Sequence, residues 1–408
     1  MVEETPWQQA LRYANRANPY PFFAELRKTP VAPQPDGSYV VSTYREVVQL
    51  LHDPRVSSDM TKRPSAPPRG LDPFEATIIT EDPPEHDADR RRLNRHFGPP
   101  ECPHMIADWE PEIRRLVAEL LDNMKGKTRV DVVDEFAFPL PVTVICRILG
   151  VPLESIPDFH AWIEAGLDAL DLGPEGATEE HEPVRAKGLQ EVAKLNQFVA
   201  DLVDQYAKEP APGMFSGMVH DDGPEGRMSK QSIVNNAKVL LFAGHETSVN
   251  LISHSVLSLL RHPDQLAKLR RRPELIVPGV EELLRLESSV QTWHTRSALE
   301  DIEIAGTTIP AGAPIFLLYG SANRDPERFE NPDDLDLERP DNEHVGFSQG
   351  IHYCFGAPLA RLEVQIAVSE FVRRVENPRL VEDPPPYRRS QIFRGPKHMW
   401  LDIDGIRD

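Results

Sequence analysis

The stretch GFSQGIHYCFGAPLAR, Gly346–Arg361, decides how the rest of the chain is read. It carries Cys354, one of only three cysteines, between an aromatic residue and a glycine-closed turn. A segment with helical spacing follows at once. A thiol buried only for packing has no use for glycines around it. Glycines let backbone come close to a large flat partner, so Cys354 reads as a ligand presented by a loop.

The surrounding chain has 408 residues, 40% of them hydrophobic, which is enough for a sizeable core. Its formal net charge is −20, from 45 basic and 65 acidic residues. Nucleic acid is therefore not expected as a partner, because phosphate binding needs a basic surface. The N-terminus lacks the basic-then-apolar pattern of a signal peptide, and no stretch approaches the roughly 20 apolar residues of a membrane span. Cys102, Cys146 and Cys354 are odd in number and widely spaced, which argues against a disulfide framework. A soluble, cytoplasmic, monomeric protein with no membrane or nucleic-acid contact is expected.

Most of the chain shows helical spacing, at His86–Phe97, Trp109–Lys125, Leu140–Leu149 and Val184–Lys208 among others. SYVVSTYREVVQLLHD reads as a strand followed by a helix. Later β-like pieces fall at Ile302–Ile309 and Ile315–Leu318. Residues 57–84 read as a long Pro-rich loop, and loops of that length are often functional. DLGPEGATEEHEP, 171–183, and VHDDGPEGR, 219–227, read as exposed turns. The class is mainly α with a minor β region.

The segment MSKQSIVNNAKVLLFAGHETSVNLISHSVLSLLRHP predicts one helix of about 33 residues, capped by Ser229 and stopped before Pro263. Such a helix is roughly 50 Å long and, being apolar on most faces, is expected to be buried. AGHETS sits in its middle. Two readings stay open there: a tolerated glycine beside a few polar residues, or a helix opened to offer a hydroxyl, an acid and room for a small ligand. A buried Glu246 would need a partner. A zincin-type site is excluded, because position 249 is Val where a second His is required.

GVEELLRLE places Glu282 and Arg285 at i, i+3 on one helical face. By itself this reads as a surface pair of little worth. The flanking Leu283, Leu284 and Leu286 favour a buried, bidentate pair instead.

In order, AGHETS, Glu-x-x-Arg and FSQGIHYCFG resemble the cytochrome P450 family of haem-thiolate monooxygenases. Phe347, Gly350, His352, Cys354 and Gly356 match its cysteine motif, while Ser348 stands where the family has Gly. EDPPEHDADRRRLNRHF, TRSALEDIEIAGTTIPAG and NRDPERFENPDDLDLERP extend the resemblance over essentially the whole chain. Leu335 stands where the family often has Phe. The resemblance implies a single domain, residues 1–408, with a triangular prism-like P450 fold. Haem b, iron protoporphyrin IX, would lie between the long central helix and the cysteine-loop helix.

It also implies roles for individual residues. Cys354 would be the axial iron ligand, with Phe347 packed beside its sulfur and Gly356 in the turn after it. His86 and Arg90 would reach one haem propionate; Arg296 and His352 the other. Glu246 and Thr247 match the family's acid–alcohol pair for proton delivery, and Ala243 with Gly244 would leave space for dioxygen. Glu282, Arg285 and Arg339 would lock the fold. Cys102 and Cys146 match no motif and read as inert buried thiols. The resemblance places Ile79, Val239, Ala243, Val290, Thr292, Ile392 and Phe393 around the substrate. They are mostly apolar, which suits a hydrophobic small molecule of secondary metabolism such as a terpenoid, steroid, polyketide or fatty acid. The segments 57–84 and 171–183 would gate the pocket.

The implied reaction inserts one oxygen atom from O2 by hydroxylation or epoxidation. Only 54 residues follow Cys354 (408 − 354), so electrons are expected from a separate ferredoxin and ferredoxin reductase. Arg90, Arg91, Arg92 and Arg95 would form a basic dock for the acidic ferredoxin, against the plain reading of a solvated helix face. The alternatives are a peroxide-driven peroxygenase, against which the acid–alcohol pair argues, and a non-catalytic haem sensor. The ending FRGPKHMW departs from the family's usual ending.

Overall fold

Short polar and proline signals set where the helices begin. Thr5 caps Pro6–Leu11 through a reciprocal box with Gln8: Gln8 N–H donates to Thr5 Oγ1 at 3.2 Å and Thr5 N–H to Gln8 Oε1 at 3.0 Å. Ser229 caps the central helix by accepting from Ser232 N–H at 3.1 Å. That helix, Lys230–Arg261, has 32 residues and is continuous. His262, extended before Pro263, ends it, as expected for a residue whose helical conformation the following proline ring disfavours.

The computed structural model describes residues 4–62, 76–98, 102–170, 182–292 and 296–408. Helices account for 55% of the described residues, so the class is mainly α with small sheets. The chain divides into two compact units. One comprises Met1–Val56, Glu110–Pro141 and Glu246–Asp408; the other comprises Ser57–Trp109 and Val142–His245.

The first unit holds the β structure. Its largest sheet runs Val31–Pro33, Tyr39–Val41, Pro314–Leu317, Arg296–Ala298 in spatial order and ends on the short strand begun by Val56. Tyr39–Val41 pairs in parallel with Pro314–Leu317, and Arg296 lies opposite Ile315 in an antiparallel pair. Val31, Val41, Ile315 and Leu317 feed one apolar cluster with Val47 and Leu50 of the Tyr44–Leu51 helix. Ile302–Ile304 and Thr307–Ile309 form a hairpin over Ala305 and Gly306, both at positive φ, as a tight two-residue turn requires. The same unit contains the helices Ile276–Leu286 and Ala357–Arg374, which carry the Glu-x-x-Arg pair and follow the cysteine loop respectively.

The second unit is helical. Ile156–Leu170 packs on Glu182–Lys208, and Met214–His220 on Glu85–Phe97. Within the expected long loop, Asp82 gathers Ser58 N–H at 2.8 Å, Lys62 Nζ at 2.7 Å and the Ser57 hydroxyl, so its described ends are pinned. Residues 63–75 of that loop, and 171–181 of the expected gating turn, lie outside the described residues.

Candidate functional site

The cysteine loop is closed by its own backbone. Cys354 N–H donates to Phe347 O at 2.9 Å, Ser348 N–H to Val345 O at 2.9 Å, and Tyr353 N–H to Gly350 O at 3.1 Å. Gly350 has φ +69, and a Cβ there would stand 2.5 Å from Leu51 O, so only glycine fits. Ser348 adopts φ +59, the left-handed conformation that glycine takes without cost. The turn geometry is therefore kept despite the departure from the family pattern, and Ser348 carries the strain. Leu335 is buried in the core where the larger Phe is common.

Cys354 is partly exposed and lies three residues before the Ala357–Arg374 helix. The positive end of that helix favours a thiolate. Cys146 is fully buried, and desolvation pushes its thiol up to about 12, which leaves it inert. Cys102 is only half-buried and its thiol points to Arg95 O at 2.9 Å, so the expectation that it is a buried thiol is corrected.

Glu282 and Arg285 are 1% and 0% exposed. Arg285 donates to Glu282 through Nε at 2.7 Å and Nη2 at 2.9 Å. Its remaining donors reach Asn323 O and Pro332 O, both at 2.7 Å. Arg339 Nε lies 3.0 Å from both Glu282 oxygens, and Asp336 N–H donates to Oε1 at 3.0 Å. The surface-pair reading fails: the pair is buried, satisfied on every side, and ties the helix to the 323–339 segment.

Arg296 is 3% exposed on its strand, and its Nη1 has no hydrogen-bond partner among the described residues. A buried cation in that state calls for an anion. His352 ends the 3-10 turn Gly350–His352. In the other unit His86 and Arg90 share the Glu85–Phe97 helix; His86 is buried, with Nδ1 2.9 Å from Asp87 Oδ1.

From Asn236 to Leu259 the central helix is buried except at Ala243, Gly244 and Thr247, which share one side of it. Of the two readings left open for AGHETS, the backbone is not opened: the α-helix runs unbroken through it. The space expected at Gly244 is also corrected in part: a Cβ there would stand 2.5 Å from Ile145 Cγ1, so glycine admits Ile145. His245 Nδ1–H donates to Leu241 O at 2.8 Å, among the rings of Phe159 and Phe242. Glu246 is 2% exposed and has the partner its burial demands, Arg388.

Four of the expected substrate-lining residues come together in the first unit. Val290 bridges Phe393, Gln291 N–H donates to Ile392 O at 3.2 Å, and Thr292 bridges Leu318. Val290 and Ile392 stay partly accessible, whereas Phe393 and Thr292 are buried. In the second unit Ile79 is partly accessible and Val239 is buried; the adjoining Ile78 N–H donates to Asn236 Oδ1 of the central helix at 3.0 Å.

A cytochrome P450 family profile matches residues 193–401. The chain is 35% identical over 404 residues to the 6-deoxyerythronolide B hydroxylase of Saccharopolyspora erythraea, covering 95% of this chain and 96% of that one. It is 36% identical over 391 residues to the vitamin D(3) 25-hydroxylase of Pseudonocardia autotrophica, covering 94% and 93%. The crystal structure of CYP109E1 from Bacillus megaterium in complex with testosterone superposes with a TM-score of 0.87 at 30% identity, covering 96% of this chain and 100% of that one.

The chain belongs to the cytochrome P450 family.

It has the P450 fold and is a P450 monooxygenase. The family implies haem, and the residues present fit one. Arg296 supplies a buried guanidinium whose Nη1 has no partner among the described residues, and a Cβ on Gly356 would meet nothing within 4 Å, so that face of the turn is open to a flat group. No described helix of this P450 is long and apolar enough to cross a membrane.

The expected basic dock is not a set of free cations. Arg95 is clasped by Asp221 and Glu225, Arg92 bonds Asp89 at 2.6 Å and Gly226 O at 3.0 Å, and Arg91 Nε lies 2.9 Å from Glu225 Oε1. The turn at 219–227, read in the sequence only as exposed, neutralises much of this P450's arginine helix.

Sequence reasoning passed over two acidic-site residues. Arg388 lies far along the chain from Glu246, and nothing in YRRSQIF marks it as that acid's partner. Glu363 is fully buried on the Ala357–Arg374 helix, and desolvation raises it from an ordinary 4.5 to about 8, against a lowering effect of the Ser248 hydroxyl. A lone acid in the apolar run LEVQIAV was the available signal.

Proposed function

We propose that this P450 uses Cys354 as the thiolate ligand of haem b and inserts one atom of O2 into a hydrophobic small molecule. The observation that carries the reading is the Cys354 loop itself, closed by backbone bonds, open at Gly356 and joined to a helix N-terminus. When bound, the haem supplies oxygen activation, with the thiolate donating electron density to iron. The protein's share is to bind, orient and deliver protons. Arg296 and His352 would neutralise one propionate. Thr247 Oγ1, on the accessible side of the central helix, donates a hydrogen bond to what binds there. Glu246 holds the proton destined for that hydroxyl, and Arg388 fixes the acid's orientation. Glu282, Arg285 and Arg339 keep the cysteine loop's supporting segment in place. The 1–408 chain works as a single P450 domain.

Relatives named for 6-deoxyerythronolide B, vitamin D(3) and a testosterone complex support a bulky, largely apolar substrate. In the first unit the accessible Val290 and Ile392 suit such a molecule. Thr247→Ala tests the proton role: haem binding persists while electrons are diverted to peroxide. A variant that stays fully coupled to product contradicts it.

Electrons come from a separate ferredoxin and its reductase, in the cytoplasm. Arg91 keeps 58% of its side chain exposed and is the arginine a docking protein reaches. Glu225→Gln unmasks Arg91 and Arg95 and speeds reduction at low salt. An unchanged rate removes the arginine helix from the docking account.

A further inference from the structure

The cysteine loop is held from outside by a second ion pair, distinct from Glu282–Arg285. Arg361, seven residues after Cys354, donates through Nε to Glu281 Oε1 at 2.7 Å and through Nη2 to Oε2 at 2.8 Å. Its third nitrogen, Nη1, donates to the Tyr353 hydroxyl at 3.0 Å. The guanidinium carbon lies 4.5 Å from the centroid of the Phe347 ring, a cation–π distance. One planar group thus touches the residue before Cys354, the aromatic residue at the loop's start, and a neighbouring helix.

Glu281 accepts a further bond. His344, with 3% of its side chain exposed, places Nε2 3.1 Å from Glu281 Oε2. Gly346 N–H donates to His344 Nδ1 at 3.0 Å. Nδ1 accepts there, which leaves Nε2–H as the donor to Glu281. Burial alone would raise Glu281, but the bonds from Arg361 and His344 overcome it and hold the carboxylate at about 2. Gly346 packs closely on Leu284: a Cβ there would stand 2.7 Å from Leu284 Cγ, so a larger residue does not fit without a shift. The loop is gripped at Gly346 by His344, at Phe347 by the guanidinium face, and at Tyr353 by the guanidinium edge. Glu281 links all three grips.

We infer that Arg361, Glu281 and His344 are positioning residues for the Cys354 thiolate, acting through Phe347, Tyr353 and the Gly346 amide. The inference rests on the reading of Cys354 as the haem ligand. Lysine cannot replace Arg361, because a point charge cannot pair with Glu281, reach Tyr353 and cover Phe347 together. Tyr353 is partly exposed, so Tyr353→Phe removes one grip without threatening the fold.

The test uses haem-loaded wild type, Arg361→Gln, Arg361→Lys and Tyr353→Phe. Three quantities are read: the ferric/ferrous potential, the rate at which the thiolate-type ferrous–CO band converts to the ordinary haem position, and Tm. Arg361→Gln raises the potential and speeds conversion by roughly tenfold, the scale set by losing a charge-assisted hydrogen bond. Arg361→Lys falls between, and Tyr353→Phe shifts both readouts the same way by less, with Tm near wild type. Variants matching wild type in potential and conversion rate overturn the inference while leaving Cys354 as ligand. A wild type with no thiolate-type band overturns the ligand reading, and the inference with it.

Discussion

Arg388 Nη1 stands 3.3 Å from Glu246 Oε1, joining the last quarter of the chain to the middle of the central helix. Glu246 is almost wholly buried, and Arg388 is the partner its carboxyl meets there. Removing the arginine alone leaves a buried carboxyl without that partner. Arg388→Met therefore destabilises the protein by about 1–3 kcal/mol, read from urea unfolding; the long contact puts it below the usual 3–5 for a tight buried pair. The double variant Arg388→Met/Glu246→Gln recovers much of that loss. Full additivity of the two changes contradicts the pairing.

Glu282 accepts from Arg285, Arg339 and the Asp336 amide at once. Glu282→Gln keeps the shape but leaves two buried guanidiniums short of their counter-charge. A loss of about 3–5 kcal/mol is expected, with sharply reduced haem-loaded yield. Unfolding at the wild-type urea midpoint contradicts the lock.

Glu363 sets a pH dependence. Its folded carboxyl keeps its proton up to about pH 8, while the unfolded one releases it near 4.5. Between those values the unfolded chain binds fewer protons, so this group's contribution falls as pH rises and is gone above about 8. Glu363→Gln flattens Tm against pH across that window. An unchanged slope contradicts the buried, protonated acid.

Ser348 holds φ +59 in a turn where glycine rests without strain. Ser348→Gly relieves that strain and stabilises the folded protein by about 1 kcal/mol, less the extra chain entropy of glycine. A clear loss of stability shows instead that the Ser348 hydroxyl, 3.4 Å from Tyr319 Oη, matters more.

Much of this arrangement was legible in the chain. The Ser229 cap and the stop at Pro263 delimit the central helix to within a residue, because capping and proline chemistry are local. The Glu-x-x-Arg pair was ambiguous, because spacing places two side chains on one face but says nothing about what covers that face. Asn323 O and Pro332 O, which complete it, are long-range. Arg388 was invisible for the same reason. The arginine helix was legible as four cations on one helix, but the acids that meet two of them, Asp221 and Glu225, come from far along the chain and only the fold brings them to Arg95 and Arg91. FRGPKHMW gains sense in three dimensions, where Arg394 pairs with Glu287 in the core, Gly395 lies where a Cβ would strike Asn250, and His398 Nδ1 meets Asp131 at 2.8 Å.

The most direct measurement is the absorption spectrum of purified wild type and Cys354→Ser, each reduced with dithionite and exposed to carbon monoxide. The account predicts a strongly red-shifted Soret band in the wild type that is absent in Cys354→Ser. A band at the ordinary histidine-haem position in the wild type, or a red-shifted band surviving in Cys354→Ser, contradicts it.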